Sequence, residues 1–269
     1  MRAGQWISML FCMALAAPAG AAIDGLRVEG TRFVLDDGTG KLLKGTDLIG
    51  AELDMGELGV VRVAAVEQDT GARFKEVWLH TLELRQPGKM LFTGFCTPDP
   101  AGDTRVVVYP GYFDGNHHYT GDNARFSMSC VSGVEAKCLR WGYLPWRTAP
   151  NTGESLAPYY EACIHMARAD YCGDNRPSTR DGTSIDIYDR VGVQQQTPGN
   201  DGMQFEAGWN GRGALCVHHT RIPENLTLDA LPVRCPRFTE TTLGASCSDS
   251  AAAEQGALLF NRSRNRSLL

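Results

Sequence analysis

The side chains that could do chemistry concentrate between residues 163 and 189. His165 and Asp170 stand close together there, and an imidazole beside a carboxylate is the pair from which a hydrolase draws its acid and base. After Gly173 come Asp174, Asp181, Asp186 and Asp189, interleaved with Asn175, Ser178, Thr179, Thr183 and Ser184. So many oxygens in one short loop suit a hard cation such as calcium, with Asp174, Asp181 and Asp186 as the candidate ligands. Their order is not the D-x-[DN]-x-[DN]-G loop, and Arg176 and Arg180 can neutralise the same charges. Cys163-x-His165 and Cys216-x-His218-His219 are thiol–imidazole clusters of the sort zinc takes, but neither has the paired C-x-x-C spacing of a structural zinc site. Trp141, Tyr143 and Trp146 bring large aromatics close together, which can line a ligand groove or fill a core. Tyr112, Phe113, His118 and Tyr119 form a second aromatic and histidine-bearing set, in a turn-rich stretch. A Gly-x-Ser-x-Gly elbow, a His-Glu-x-x-His helix and a Gly-rich phosphate loop are all missing from the sequence.

These residues need elements to hold them. The spacing predicts one central helix from about Pro158 to Cys172, with proline in its first turn and Gly173 as its stop. At about 100° per residue, Tyr160, Cys163, Ile164, Ala167 and Tyr171 fall on one side and Glu161, His165 and Arg168 on the other. Asp170 then lies at the edge of the buried face, where its carboxylate needs an arginine or loop amides as compensation. In an unbroken helix Cys163 and Cys172 lie roughly 13 Å apart along the axis. A disulfide needs Cα atoms within about 7 Å, so each should tie the helix to a different part of the chain. Upstream, residues 22–88 read as a small, mostly antiparallel β-rich unit without cysteines, ending at the break Gln86-Pro87-Gly88. His80, in the strand K-E-V-W-L-H-T-L-E-L, is expected to be packed rather than to ligate a metal. Downstream, residues 183–188 read as a short strand and residues 205–217 as a hairpin with a Gly-rich tip.

The 269 residues are 43% hydrophobic and 21% charged, enough apolar material for a packed core. A net charge of −5 with interspersed signs offers no broad basic surface for phosphates, which argues against a nucleic-acid partner. Arg2, an apolar run over residues 6–17 and the exit Ala19-Gly20-Ala21 follow the plan of a secretory signal peptide, residues 1–21. Cleavage removes Cys12 and leaves Cys96, Cys130, Cys138, Cys163, Cys172, Cys216, Cys235 and Cys247. An even set in an exported chain reads as disulfides, in a protein that is periplasmic or secreted and has no membrane span once the signal is gone. Cys216 with Cys235 is one pairing that fits, although the spacing does not select it. Residues 245–269, rich in Ser, Ala, Asn and Arg, read as a disordered tail, which leaves the pairing of Cys247 in doubt.

At Ala169-Asp170-Tyr171-Cys172 the chain resembles the bacterial ADYC domain family, named for that tetrapeptide. Lys137-Cys138, Trp141-Gly142-Tyr143-Leu144-Pro145-Trp146, the match over residues 168–173, and Gly182-Thr183 followed by Ile185-Asp186 extend the likeness across residues 95–237. The resemblance implies an exported bacterial protein with a cysteine-bonded domain, and it brings no activity and no catalytic residues. The fold expected is α+β: a small β-rich N-terminal unit followed by a disulfide-stabilised α+β domain, residues 90–240, with one central helix. The function expected is a binding or structural module for a protein or carbohydrate ligand, with no cofactor. The alternative is a hydrolase-type enzyme with a carboxylate site around Asp170.

Overall fold

In the computed structural model, residues 25–114, 118–199 and 202–264 are described; the expected signal peptide lies outside them. The chain opens with a three-stranded antiparallel meander, β1 (Leu26–Glu29), β2 (Arg32–Asp36) and β3 (Leu42–Lys44). A six-stranded antiparallel sheet follows. It contains β4 (Glu52–Asp54), β5 (Val60–Gln68), β6 (Trp78–Arg85), β7 (Thr93–Gly94), β8 (Val106–Pro110) and β11 (Phe126–Cys130), in the order β11-β8-β6-β5-β4 with β7 also paired to β6. In β5 the valines alternate inward at Val61 and Val63, then a bulge between Val63 and Ala65 resets the register so that Val66 is buried too. β8 is buried along its whole length, as its unbroken V-V-V-Y run requires. The break at residues 86–88 is the hairpin between β6 and β7, so the sheet runs straight through it and joins strands on both sides.

Strand β6 is covered on both faces: Leu82 joins the core under the meander with Phe33, Val61 and Val106, and Leu79 joins the core under the helices. His80 sits between, fully buried and edge-on to Phe33 at 5.2 Å. Burial pushes its pKa down to about 4 from 6.5, against a weaker pull from the Val106 backbone. A folded-state pKa below the unfolded one means that the unfolded chain takes up the proton first as pH falls, so this stability is present above about pH 6.5 and is lost on the way down to 4. The whole shift is worth about 3 kcal/mol. His80→Leu is expected to reduce the decline of urea-unfolding free energy between pH 6.5 and 5, a window above the ordinary carboxylate range; an unchanged slope would place the titration elsewhere.

The second layer holds α1 (Val134–Arg140) and α2 (Ala157–Arg168), the small hairpin β9 (Tyr112–Phe113) and β10 (Tyr119–Thr120), and a four-stranded antiparallel sheet. That sheet is built from β12 (Asp186–Asp189), β13 (Gln204–Asn210), β14 (Gly213–Val217) and β15 (Leu259–Ser263), in the order β12-β15-β13-β14. Short helices α3 (Leu231–Arg234) and α4 (Asp249–Glu254) complete it. Of the tail expected to be disordered, residues 245–264 are described and carry ordered elements. Leu259, Phe260, Asn261 and Ser263 are buried in a strand paired on both sides, and α4 packs on β13 with Ala252 against Gly208. Its Ser/Ala/Asn/Arg composition concealed this because Asn261 and Ser263 are buried by satisfying polar partners, not by being apolar.

All eight expected cysteines pair: Cys96–Cys130, Cys138–Cys163, Cys172–Cys235 and Cys216–Cys247. Cys247 is thus bridged, and Cys216 pairs with it, not with Cys235. Cys163 and Cys172 go to different partners, but the helix between them is not continuous. α2 stops at Arg168, and Ala169 enters the left-handed region at φ 49. The Asp170 amide then donates back to the His165 carbonyl at 2.9 Å, closing a Schellman-type end. The glycine expected as the stop serves another purpose: Gly173, at φ 69, lies so close to the Arg212 backbone that a Cβ would come within 2.2 Å of its carbonyl oxygen.

Candidate functional site

Each residue of the Ala169–Cys172 tetrapeptide does a separate job at the end of α2. Ala169 reverses the chain in a fully buried position, at φ 49. Asp170, also fully buried, accepts the Asp174 amide on Oδ1 at 3.1 Å and the Asn175 amide on Oδ2 at 2.9 Å, and Oδ2 lies 2.9 Å from His165 Nδ1. Its compensation is loop amides plus the imidazole. Tyr171 stacks on Trp209 with ring centroids 5.2 Å apart, and Cys172 bonds to Cys235. Arg237 completes the clasp by donating to the carbonyls of Tyr171, Cys172 and Ala214 at 2.7, 2.8 and 3.0 Å.

Beneath the tetrapeptide lies a buried ion pair. Glu206 from β13 receives Arg221 through two parallel bonds of 3.0 Å each, and it also accepts the Tyr171 hydroxyl at 3.0 Å and the Asn261 amide at 2.8 Å. Arg221 donates onward to the carbonyls of Met166 and Ala167 in the last turn of α2, of which Met166 also accepts the Ala169 amide. Burial alone would raise the Glu206 pKa, but the Arg221 charge and hydrogen bonds outweigh it and hold the carboxyl below its ordinary value. Sequence reasoning found neither residue: Glu206 sits in a strand and Arg221 in a loop, with no motif joining them.

A cavity of about 50 Å³ opens beside this clasp, lined by Phe113 of the β9 strand, Val134 and Glu135 of α1, Ile164, His165 and Arg168 of α2, and Asn175 of the loop. Asp170 engages the Nδ1 of His165, so Nε2 is the ring nitrogen left for the cavity. Burial raises the Glu135 pKa, opposed by Ser129, Arg168 and Tyr109. Arg168 donates one amino group to the Asn175 carbonyl. The expected candidates His165 and Asp170 are thus brought together. Glu135, which no sequence pattern singled out, joins them because α1 packs across α2 through the Cys138–Cys163 bridge.

The other expected sites are dispersed. Asp174 pairs with Arg234 at 2.8 Å, Asp186 bonds to Arg262 and Thr197, and Asp181 is exposed. Asp189 accepts the amides of Val191, Gly192, Val193 and Gln194 and the Tyr143 hydroxyl. Cys163 and Cys216 are committed to disulfides, and no group of three metal-ligating side chains occurs among the described residues. The expected aromatic groove is core packing: Tyr143 is fully buried, and Trp141 and Trp146 rest against the same cluster. Pro145 and Leu144 between them are buried as well, so the segment is an inward-facing turn.

Antiparallel sheets, short helices and four disulfides make this a disulfide-stabilised α+β fold. The chain belongs to the ADYC domain family, whose model matches residues 45–223, reaching back into the β-rich N-terminal region. No curated protein and no solved structure matches the chain.

Proposed function

We propose that the chain is an exported, extracytoplasmic binding or structural module, with the ADYC segment as its scaffold and the cavity beside it as the place where a ligand enters. The observation that carries this reading is Asp170. Its carboxylate is fully buried, and both oxygens are occupied in ordering the loop after α2. A carboxylate so placed holds backbone; it has no free face for a substrate. Four disulfides support an oxidising compartment, and no helix among the described residues is long and apolar enough to cross a membrane. The partner is a protein or carbohydrate ligand.

One observation favours the hydrolase as a second reading: the 2.9 Å His165–Asp170 pair aims an oriented imidazole at a cavity that also holds a carboxyl with a raised pKa. Asp170→Asn separates the two. The module reading expects a loss of about 2–4 kcal/mol in urea unfolding, from charge-assisted hydrogen bonds removed in a dry site. It also expects reduced export and no separable catalytic loss. A variant that folds and exports normally but loses a turnover measurable in the parent would overturn the module reading.

A further inference from the structure

The cavity has a composition that selects among ligands. Phe113, Val134 and Ile164 provide apolar wall, and His165, Arg168, Glu135 and Asn175 provide the polar side. Arg168 is a fork of five N–H donors with one amino group committed to the Asn175 carbonyl, so its capacity is not used up. His165 is fixed in place through Nδ1 and keeps Nε2 for the cavity. Glu135 would oppose an anion when ionised; burial raises its pKa and so works against that charge, although Ser129, Arg168 and Tyr109 pull the other way. About 50 Å³ is room for one or two waters at about 30 Å³ each, or for a carboxylate group whose short apolar stem lies towards the opening. A guanidinium matches the two oxygens of a carboxylate in one plane, a better fit to a cleft of this size than a tetrahedral anion.

We propose that the α1–α2 cavity binds the carboxylate end of a ligand with a short apolar stem, held by Arg168 and His165 with Phe113, Val134 and Ile164 around the stem. This rests on the binding-module reading and names the ligand chemistry of its cavity. The carboxylate can belong to a free short-chain acid or to the C-terminus of a peptide, and one experiment tells these apart.

The full-length mature protein, with disulfides intact, is titrated with propionate while the His165 ring signals are followed by NMR. Saturable shifts are expected, with propionamide and inorganic phosphate at least ten-fold weaker. Arg168→Met should weaken propionate at least ten-fold. Because Arg168 also holds the Asn175 loop, Val134→Phe provides a second variant that fills the cavity from α1 and should abolish the shifts while thermal unfolding stays close to the parent. Glu135→Gln, which keeps a donor and removes the charge, should bind no more weakly. A dipeptide ending in valine is then compared with its C-terminal amide. Tight binding of the free peptide alone assigns chain ends, and propionate binding without peptide binding assigns free acids. Absence of saturation, equal binding of propionamide or phosphate, or shifts that survive both Arg168→Met and Val134→Phe would overturn the proposal. In that event an Asp170→Asn variant that is destabilised and poorly exported, with no separable catalytic loss, would still support the module reading, so the two failures are distinguishable.

Discussion

Arg221→Met is expected to destabilise the protein by about 3–5 kcal/mol, as measured by urea unfolding at neutral pH, a cost set by the charge it leaves behind. Glu206 would remain fully buried with neutral donors, the Tyr171 hydroxyl, the Asn261 amide and Ser263, after losing both bonds to the guanidinium. In the same step the Met166 and Ala167 carbonyls at the end of α2 would lose the guanidinium, although Met166 keeps the Ala169 amide. The sign of the pH dependence identifies the cause. Without Arg221, burial is free to raise the Glu206 pKa above its unfolded value. A group with a raised folded pKa contributes stability at low pH and loses it as pH rises through the folded value. The deficit of Arg221→Met should therefore shrink as pH falls from 7 towards 5, and Glu206→Gln placed on top of it should recover part of the loss at pH 7. A deficit independent of pH, with no recovery in the double variant, would mean that lost packing and not the stranded charge sets the cost.

This pair also marks the limit of what the amino-acid order could reveal. The β-rich opening, the helix carrying Cys163 and the hairpin of β13 and β14 follow from alternation and helical spacing, which are local properties; the separate destinations of Cys163 and Cys172 hold, although the unbroken helix from which they were argued does not. The true end of α2 was not legible, because Ala169 adopts φ 49 without being a glycine and is held there by burial and by the 2.9 Å return bond from Asp170. Strand β15 was not legible because Asn261 is buried by Glu206 and Trp209, partners 55 and 52 positions away. The aromatic run at residues 141–146 was read as core or groove; only tertiary packing turns Tyr143 inward onto Asp189. Of the site itself, the His165–Asp170 proximity and the need of Asp170 for an arginine or loop amides were visible; which of the two supplies it was not, since left-handed Asn175 at φ 64 is what brings the Asp174 and Asn175 amides back.

Removing the Cys172–Cys235 bridge, as Cys172→Ser with Cys235→Ser, should produce the other large loss. The bridge closes a sequence separation of 63, the longest of the four, for which chain entropy alone gives about 4 kcal/mol. Cys216–Cys247 overlaps it, since Cys216 lies inside the 172–235 segment and Cys247 beyond it. With that crosslink intact the unfolded chain is already partly constrained, but most of the 172–235 loop lies outside the overlap, so the expected loss stays at about 4 kcal/mol. Loop length alone hardly separates this bridge from Cys138–Cys163, with a separation of 25. What distinguishes them is location. Cys138–Cys163 joins two helices inside the core, whereas Cys172–Cys235 is the clasp that keeps the chain after Tyr171 beside α3 and within reach of Arg237. Hydrogen exchange should accordingly show opening confined to residues 170–180 and 231–238, with the β5–β6 amides still protected. Uniform loss of protection across both sheets would mean that the bridge acts only on the unfolded chain and that the tetrapeptide is held by the Glu206–Arg221 pair without it.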